Sequence, residues 1–171
     1  MTADSEASLR IVPATEQDVG VILGFIRKLA EYEKLSHQVT ATVDLLRDTL
    51  FGPRRVAEVL IAYLGNEPAG FALYFHNFST FVGRPGIYLE DLFVEPAHRG
   101  KGIGKALLIE LAKIAKERNC GRFEWAVLDW NQPAIEFYRG LGAIPLDDWR
   151  LFRVTGEALD NLAAQKRATS A

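Results

Sequence analysis

The stretch LEDLFVEPAHRGKGIGKALLIELAKIAKE, Leu89 to Glu117, gathers the residues best suited to chemistry at one junction. An apolar strand pattern runs into Gly100, Gly102 and Gly104, interleaved with Arg99, Lys101 and Lys105, and then straight into a helical pattern. Glycines let several backbone N–H groups turn toward one anion. A helix N-terminus adds unsatisfied donors and the positive end of its dipole. Such a junction suits a phosphate or pyrophosphate. Two phosphate motifs fail on it. A P-loop would need glycine where Arg99 stands and Ser or Thr where Ala106 stands. A G-x-G-x-x-G frame meets Lys105 if begun at Gly100 and Leu107 if begun at Gly102. Just upstream, YLED carries Glu90 and Asp91, which regular strand alternation places on opposite faces. His37, His76 and His98 have no Cys or His partners at ligand spacing, so no metal is expected.

The elements that must position these residues can be read from periodicity. LRIVPA reads as a first strand. Thr15 and Asp18 form a short capping box ahead of Val19, Ile22, Leu23, Ile26, Leu29 and Ala30, which recur at helical spacing. Thr42 is an N-cap for TVDLLRDTLF. VAEVLIAYL and AGFALYFHNF are strands joined by the turn GNEP. GIYLEDLFV is the strand before the glycines. Ile103, Leu107, Leu111, Ile114 and Ala115 make the buried stripe of the next helix, closed by Asn119 and Gly121. RFEWAVL is a strand, PAIEFYRGLG a short helix after Asn131, WRLFRV a last strand and GEALDNLAAQK a terminal helix. The order describes one mixed α/β domain. The unit GIYLEDLFV–helix–RFEWAVL demands two parallel neighbours with a right-handed crossover.

Arg99-x-x-Gly102-x-Gly104, following LEDLFV, resembles the acyl-CoA-binding motif of the GCN5-related N-acetyltransferase (GNAT) superfamily. VPATEQDV, KLAEYEKL, YLEDLFVEPAHRGKGIGKALL, AVLDWNQPAIEFYRGLGA and WRLF follow in family order, so the resemblance covers nearly the whole chain. The blocks are similar to the diamine (spermidine/spermine) branch, and AVLDWNQ is closer to its thialysine relatives. AIPLDDW is shorter than the matching loop of the spermidine/spermine enzymes, which leans away from polyamine specificity. The resemblance implies a GNAT fold, an α/β domain over residues 1–171. Its sheet is mixed and mostly antiparallel, flanked by helices, with a central parallel βαβ unit splayed at the acetyl-CoA site. It implies acetyl-CoA as co-substrate, held by Gly100, Lys101, Gly102, Ile103, Gly104 and Lys105 with Arg99, by the backbone of Leu92, Phe93 and Val94, and by Asn131. It assigns Glu90 as a base acting through water and Tyr138 as the acid that protonates the leaving thiolate. A phenol, with a reference pKa of about 10, holds that proton at neutral pH. Tyr32, Glu33, Asp91 and Trp149, with Glu90, fall at positions near the acceptor amine, and a homodimer is implied.

Composition sets the outer bounds. A formal charge of −2 gives no sequence-independent grip on nucleic acid. A single cysteine, Cys120, allows no internal disulfide and favours a reducing compartment. No apolar run is long enough to span a membrane, and MTADSEAS lacks the features of a signal peptide, so a cytoplasmic protein is expected. Residues 1–8 are expected to be disordered and 166–171 to fray. The reading is an N-acetyltransferase for a primary amine of a small di- or polyamine or a thialysine-like amino acid. Its alternatives are a peptide acetyltransferase and a non-catalytic acyl-CoA sensor.

Overall fold

A computed structural model describes residues 8–165; the expectations for residues 1–7 and for the tail from 166 lie outside the described residues. The chain divides into two compact units, residues 1–126 and 127–171.

The first unit is a five-stranded sheet in sequential order. The strands are β1 (Leu9–Pro13), β2 (Glu58–Leu64), β3 (Glu67–Ser79), β4 (Arg84–Val94) and β5 (Phe123–Trp125). The first three pairings are antiparallel and β4–β5 is parallel, as the crossover pattern requires. Among the described residues β5 is the last strand of that order. The helices of this unit are α1 (Val19–Tyr32), α2 (Val43–Phe51) and α3 (Ile103–Glu117). Both expected starts are present. The Asp18 carboxylate accepts the Thr15 backbone N–H at 2.7 Å and its hydroxyl at 2.8 Å. Thr42 Oγ1 accepts the Leu45 N–H at 3.2 Å. One core joins Ile22 and Phe25 of α1, Leu50 of α2, and Val59, Ile61, Phe71 and Phe93 of the sheet. Phe25 stacks on Phe71 at 5.3 Å between centroids. Burial of such side chains, about 1.5–3 kcal/mol each, is what holds α1 across β3 and β4.

The second unit holds α4 (Gln132–Gly140) and α5 (Gly156–Ala164). Two expectations are corrected. The strand expected over RFEWAVL is paired only from Phe123 to Trp125. WRLFRV forms no strand among the described residues: strand pattern alone does not make a ladder, and no neighbouring backbone pairs with these residues in the sheet. Leu151 and Phe152 in that stretch are 78% and 87% exposed.

Candidate active site

The glycine junction takes the form its residues dictate. Gly100 and Gly102 have φ of 79° and 77°, a left-handed conformation that side chains with a Cβ rarely adopt. Gly102 is the N-cap of α3. The first intrahelical bond runs from the Ala106 N–H to the Gly102 carbonyl at 2.9 Å. The N–H groups of Ile103, Gly104 and Lys105 therefore precede it without intrahelical acceptors. Lys101 and Lys105 are exposed beside them. A Cβ at Gly104 would meet only Val94 Cγ2, at 3.7 Å, so this glycine is not required by crowding within the protein. Consecutive turned N–H groups at a helix start make a concave anion site, and the residues present fit the pyrophosphate of a CoA ester.

Arg99 is exposed, with its side chain folded back over β4 and the end of α1. Its Nε donates to the Val94 carbonyl at 3.0 Å. Its guanidinium lies over the Tyr32 ring at 5.0 Å and the Phe93 ring at 5.7 Å.

The strand before the loop departs from regular alternation. Asp91 is paired with Leu73 of β3 and Leu89 with Tyr74, so Glu90 is an extra residue, a bulge. Directly paired residues share a face. Phe93 and Asp91 therefore lie with Phe71 and Leu73, on the α1–α2 side of the core. Leu89 lies with Tyr74, whose ring sits 5.9 Å from the Arg118 guanidinium at the end of α3. An unbroken strand would have put Leu89, Asp91 and Phe93 on one face. Glu90 itself is exposed. The parallel pairing with β5 ends at Leu89–Trp125, so Leu92, Phe93 and Val94 have a strand partner only on the β3 side among the described residues.

On the same face comes the end of α1. Its last carbonyls are closed by the Leu35 N–H to Ala30 at 2.7 Å and the Lys34 N–H to Glu31 at 3.1 Å. Lys34 takes a φ of 62° to make that turn, a Schellman ending with lysine where glycine is usual. Glu33 is the C-cap it fixes. Burial pushes the Glu33 carboxyl above its ordinary value. Asp91 is pushed up to about 6, first by burial, then by the Glu90 charge and then by Glu33. The structure thus brings Glu33, Glu90 and Asp91 within electrostatic reach of one another, and no cation is among the causes acting on Asp91.

In the second unit, Asn131 caps α4: its Oδ1 accepts the Ala134 N–H at 3.4 Å. Tyr138 lies seven residues on, two turns along the same face, half-buried, its ring 5.4 Å from that of Phe137. Trp149 is 76% exposed.

A cavity of about 300 Å³ lies elsewhere in the first unit, lined by Leu50, Arg55, Glu58, Tyr74, Ile114 and Arg118 among others. It contains none of the site residues expected from sequence. Glu58 there is held below the usual carboxylate range by its hydrogen bond to Arg118, and Tyr74 is pushed up to about 12, chiefly by burial. This paired network is structural. The family resemblance implies a bulge in the strand before the glycine loop, but sequence reading did not place it at Glu90, and it missed the pairing of Lys28 with Glu95. Neither has a local signal, since each depends on a partner far along the chain.

Known proteins resemble the chain over most of its length. Residues 23–143 match the model of the acetyltransferase (GNAT) family. A thialysine N-epsilon-acetyltransferase of Sus scrofa is 42% identical over 170 residues, covering 93% of this chain and 99% of that protein. L-ornithine N5-acetyltransferase NATA1 of Arabidopsis thaliana is 34% identical, covering 88% of this chain and 86% of its own. An integron cassette protein from the mobile metagenome of V. cholerae superposes with a TM-score of 0.79 at 28% identity, over 92% of this chain and 99% of that one. The chain belongs to the acetyltransferase (GNAT) family, in its diamine/thialysine branch. It is an N-acetyltransferase enzyme acting on an amine. No helix among the described residues is long and apolar enough to cross a membrane.

Proposed function

We propose that the protein transfers the acetyl group of acetyl-CoA to the primary amine of a small molecule bearing a second cationic centre, a di- or polyamine or a thialysine-like amino acid. The observation that carries this reading is the gathering of Glu33, Glu90 and Asp91 on and beside one face of β4, with Asp91 pushed up to about 6. A buried carboxylate beside two further carboxylates is an unfavourable arrangement in the free protein. A bound ammonium relieves it, and a remote cation held by Glu33 fixes the reacting nitrogen near Glu90.

Acetyl-CoA supplies the thioester, and the α3 N-terminus with Gly100–Lys105 would hold its pyrophosphate. The backbone of Leu92, Phe93 and Val94, with a strand partner only on the β3 side among the described residues, would line the acyl arm, and the family resemblance adds Asn131. The incoming amine must lose a proton, because an alkylammonium has no lone pair and titrates near ~10.4. Glu90 accepts that proton through water. As the new C–N bond forms and the C–S bond breaks, Tyr138 gives its proton to the departing sulfur.

The test is acetyl-CoA turnover on thialysine, ornithine, 1,4-diaminobutane, spermidine, butylamine and a lysine-containing peptide, with wild type and Glu33→Gln. Thialysine or a diamine should be the best substrate, and butylamine, with no second charge, a poor one. Glu33→Gln should raise the diamine KM more than it lowers kcat. Butylamine acetylated as well as the diamine would remove the acidic anchor, and a peptide outrunning every small amine would remove the small-amine reading.

A further inference from the structure

The segment between β4 and the glycine loop is fastened to α1 at two points. Lys28 pairs with Glu95, and the Tyr32 ring lies beneath the Arg99 guanidinium at 5.0 Å. Lys28 and Tyr32 are four residues apart on α1 and so share a face. Glu95 and Arg99 bracket the 3-10 turn Pro96–His98. Arg99 also reaches the Phe93 ring and gives its Nε proton to the Val94 carbonyl. One side chain thus touches three things: the strand that carries the carboxylates, the loop that opens into the anion site, and the last residue of α1. The next residue along is Glu33.

From this placement we infer that Arg99 is a positioning residue for the acceptor amine. Through Tyr32 it holds the last turn of α1, and with it Glu33, in register with Asp91 on β4. Its contribution lies in this contact rather than in charge offered to a phosphate. The inference rests on the amine-transfer reading above. A guanidinium suits the task because it can stack on an aromatic face while its Nε donates in plane, whereas a lysine ammonium offers a point charge without the planar face. Because the same side chain belongs to the loop that takes the donor, binding at the loop and binding at the carboxylates are coupled, and the coupling is reciprocal.

The experiment is steady-state kinetics of Arg99→Met, Arg99→Lys, Tyr32→Leu, Tyr32→Phe and the double variant Arg99→Met/Tyr32→Leu, varying 1,4-diaminobutane, thialysine and acetyl-CoA in turn. Melting temperatures are recorded for each. Arg99→Met should raise the amine KM about fivefold, the scale of a cation–π contact, and the acetyl-CoA KM by less. Tyr32→Leu should do the same, Tyr32→Phe less, and Arg99→Lys should fall between Arg99→Met and wild type. The double variant should be no worse than the worse single variant, in KM and in melting temperature. An acetyl-CoA KM that rises while the amine KM stays would make Arg99 a phosphate ligand and overturn the inference. Effects that multiply in the double variant would overturn it as well. A wild type that acetylates neither amine would overturn the amine-transfer reading instead. The contact would then be judged from the melting temperatures alone, where additive losses would refute it.

Discussion

Asp91→Asn should make the free protein more stable above neutral pH. The side chain keeps its shape and loses its ionisation. In the folded protein Asp91 is pushed up to about 6, by burial first and then by Glu90 and Glu33. In the unfolded chain a solvated aspartate titrates near ~3.9. Between these values the folded state holds a proton that the unfolded state has released. Stability therefore falls as pH rises through this window, and above it the full cost of ionising a crowded, buried carboxylate is borne by the folded state. A difference of about two pKa units is worth at most about 2.7 kcal/mol, since each unit is 1.36 kcal/mol. Well below pH ~3.9 the aspartate is neutral in both states and the substitution should be nearly silent. At pH 8 Asp91→Asn should raise the melting temperature by up to about 5–10 °C, at roughly 2–4 °C per kcal/mol for a chain of this size. Urea denaturation of wild type and variant from pH 4 to pH 8, without ligand, reads the effect directly. A stability difference independent of pH, or a variant less stable than wild type at pH 8, would show that Asp91 is not pushed up in the folded protein and would refute the argument. The same variant should lose amine affinity, so stability and binding should move in opposite directions.

Two further outcomes test other parts of the site. Gly104→Asp should weaken acetyl-CoA binding on the order of a hundredfold or more, because a carboxylate would face the diphosphate within a few ångströms. The fold should survive, since a Cβ there meets only Val94 Cγ2 at 3.7 Å, and calorimetry with circular dichroism separates the two effects. Tyr138→Phe removes one oxygen while keeping the ring beside Phe137, so kcat should fall by roughly 10²–10⁴ with little change in the acetyl-CoA KM. A kcat near wild type under conditions where chemistry limits turnover would exclude Tyr138 as the acid.

What the sequence determined by itself was local. Caps act within one turn, and Thr42, the Thr15–Asp18 pair and Asn131 all stand where their residue types place them. Helical and strand periods are fixed by backbone geometry, so α1, α2 and α3, the β2–β3 hairpin and the parallel β4–β5 pair could be read from hydrophobic spacing. Gly100 and Gly102 take left-handed turns that few other residues adopt. The tertiary structure decided whatever depends on residues far apart in the chain. The register of β4 against β3 inserted Glu90 and turned Asp91 to the face of α1, which alternation within YLED alone cannot reveal. The raised pKa of Asp91 reflects its burial, its neighbour Glu90 and the distant Glu33, and the fold-back of the Arg99 side chain depends on Tyr32. The strand pattern of WRLFRV was legible but formed no ladder, because pairing is a property of two backbones and a sequence pattern describes only one.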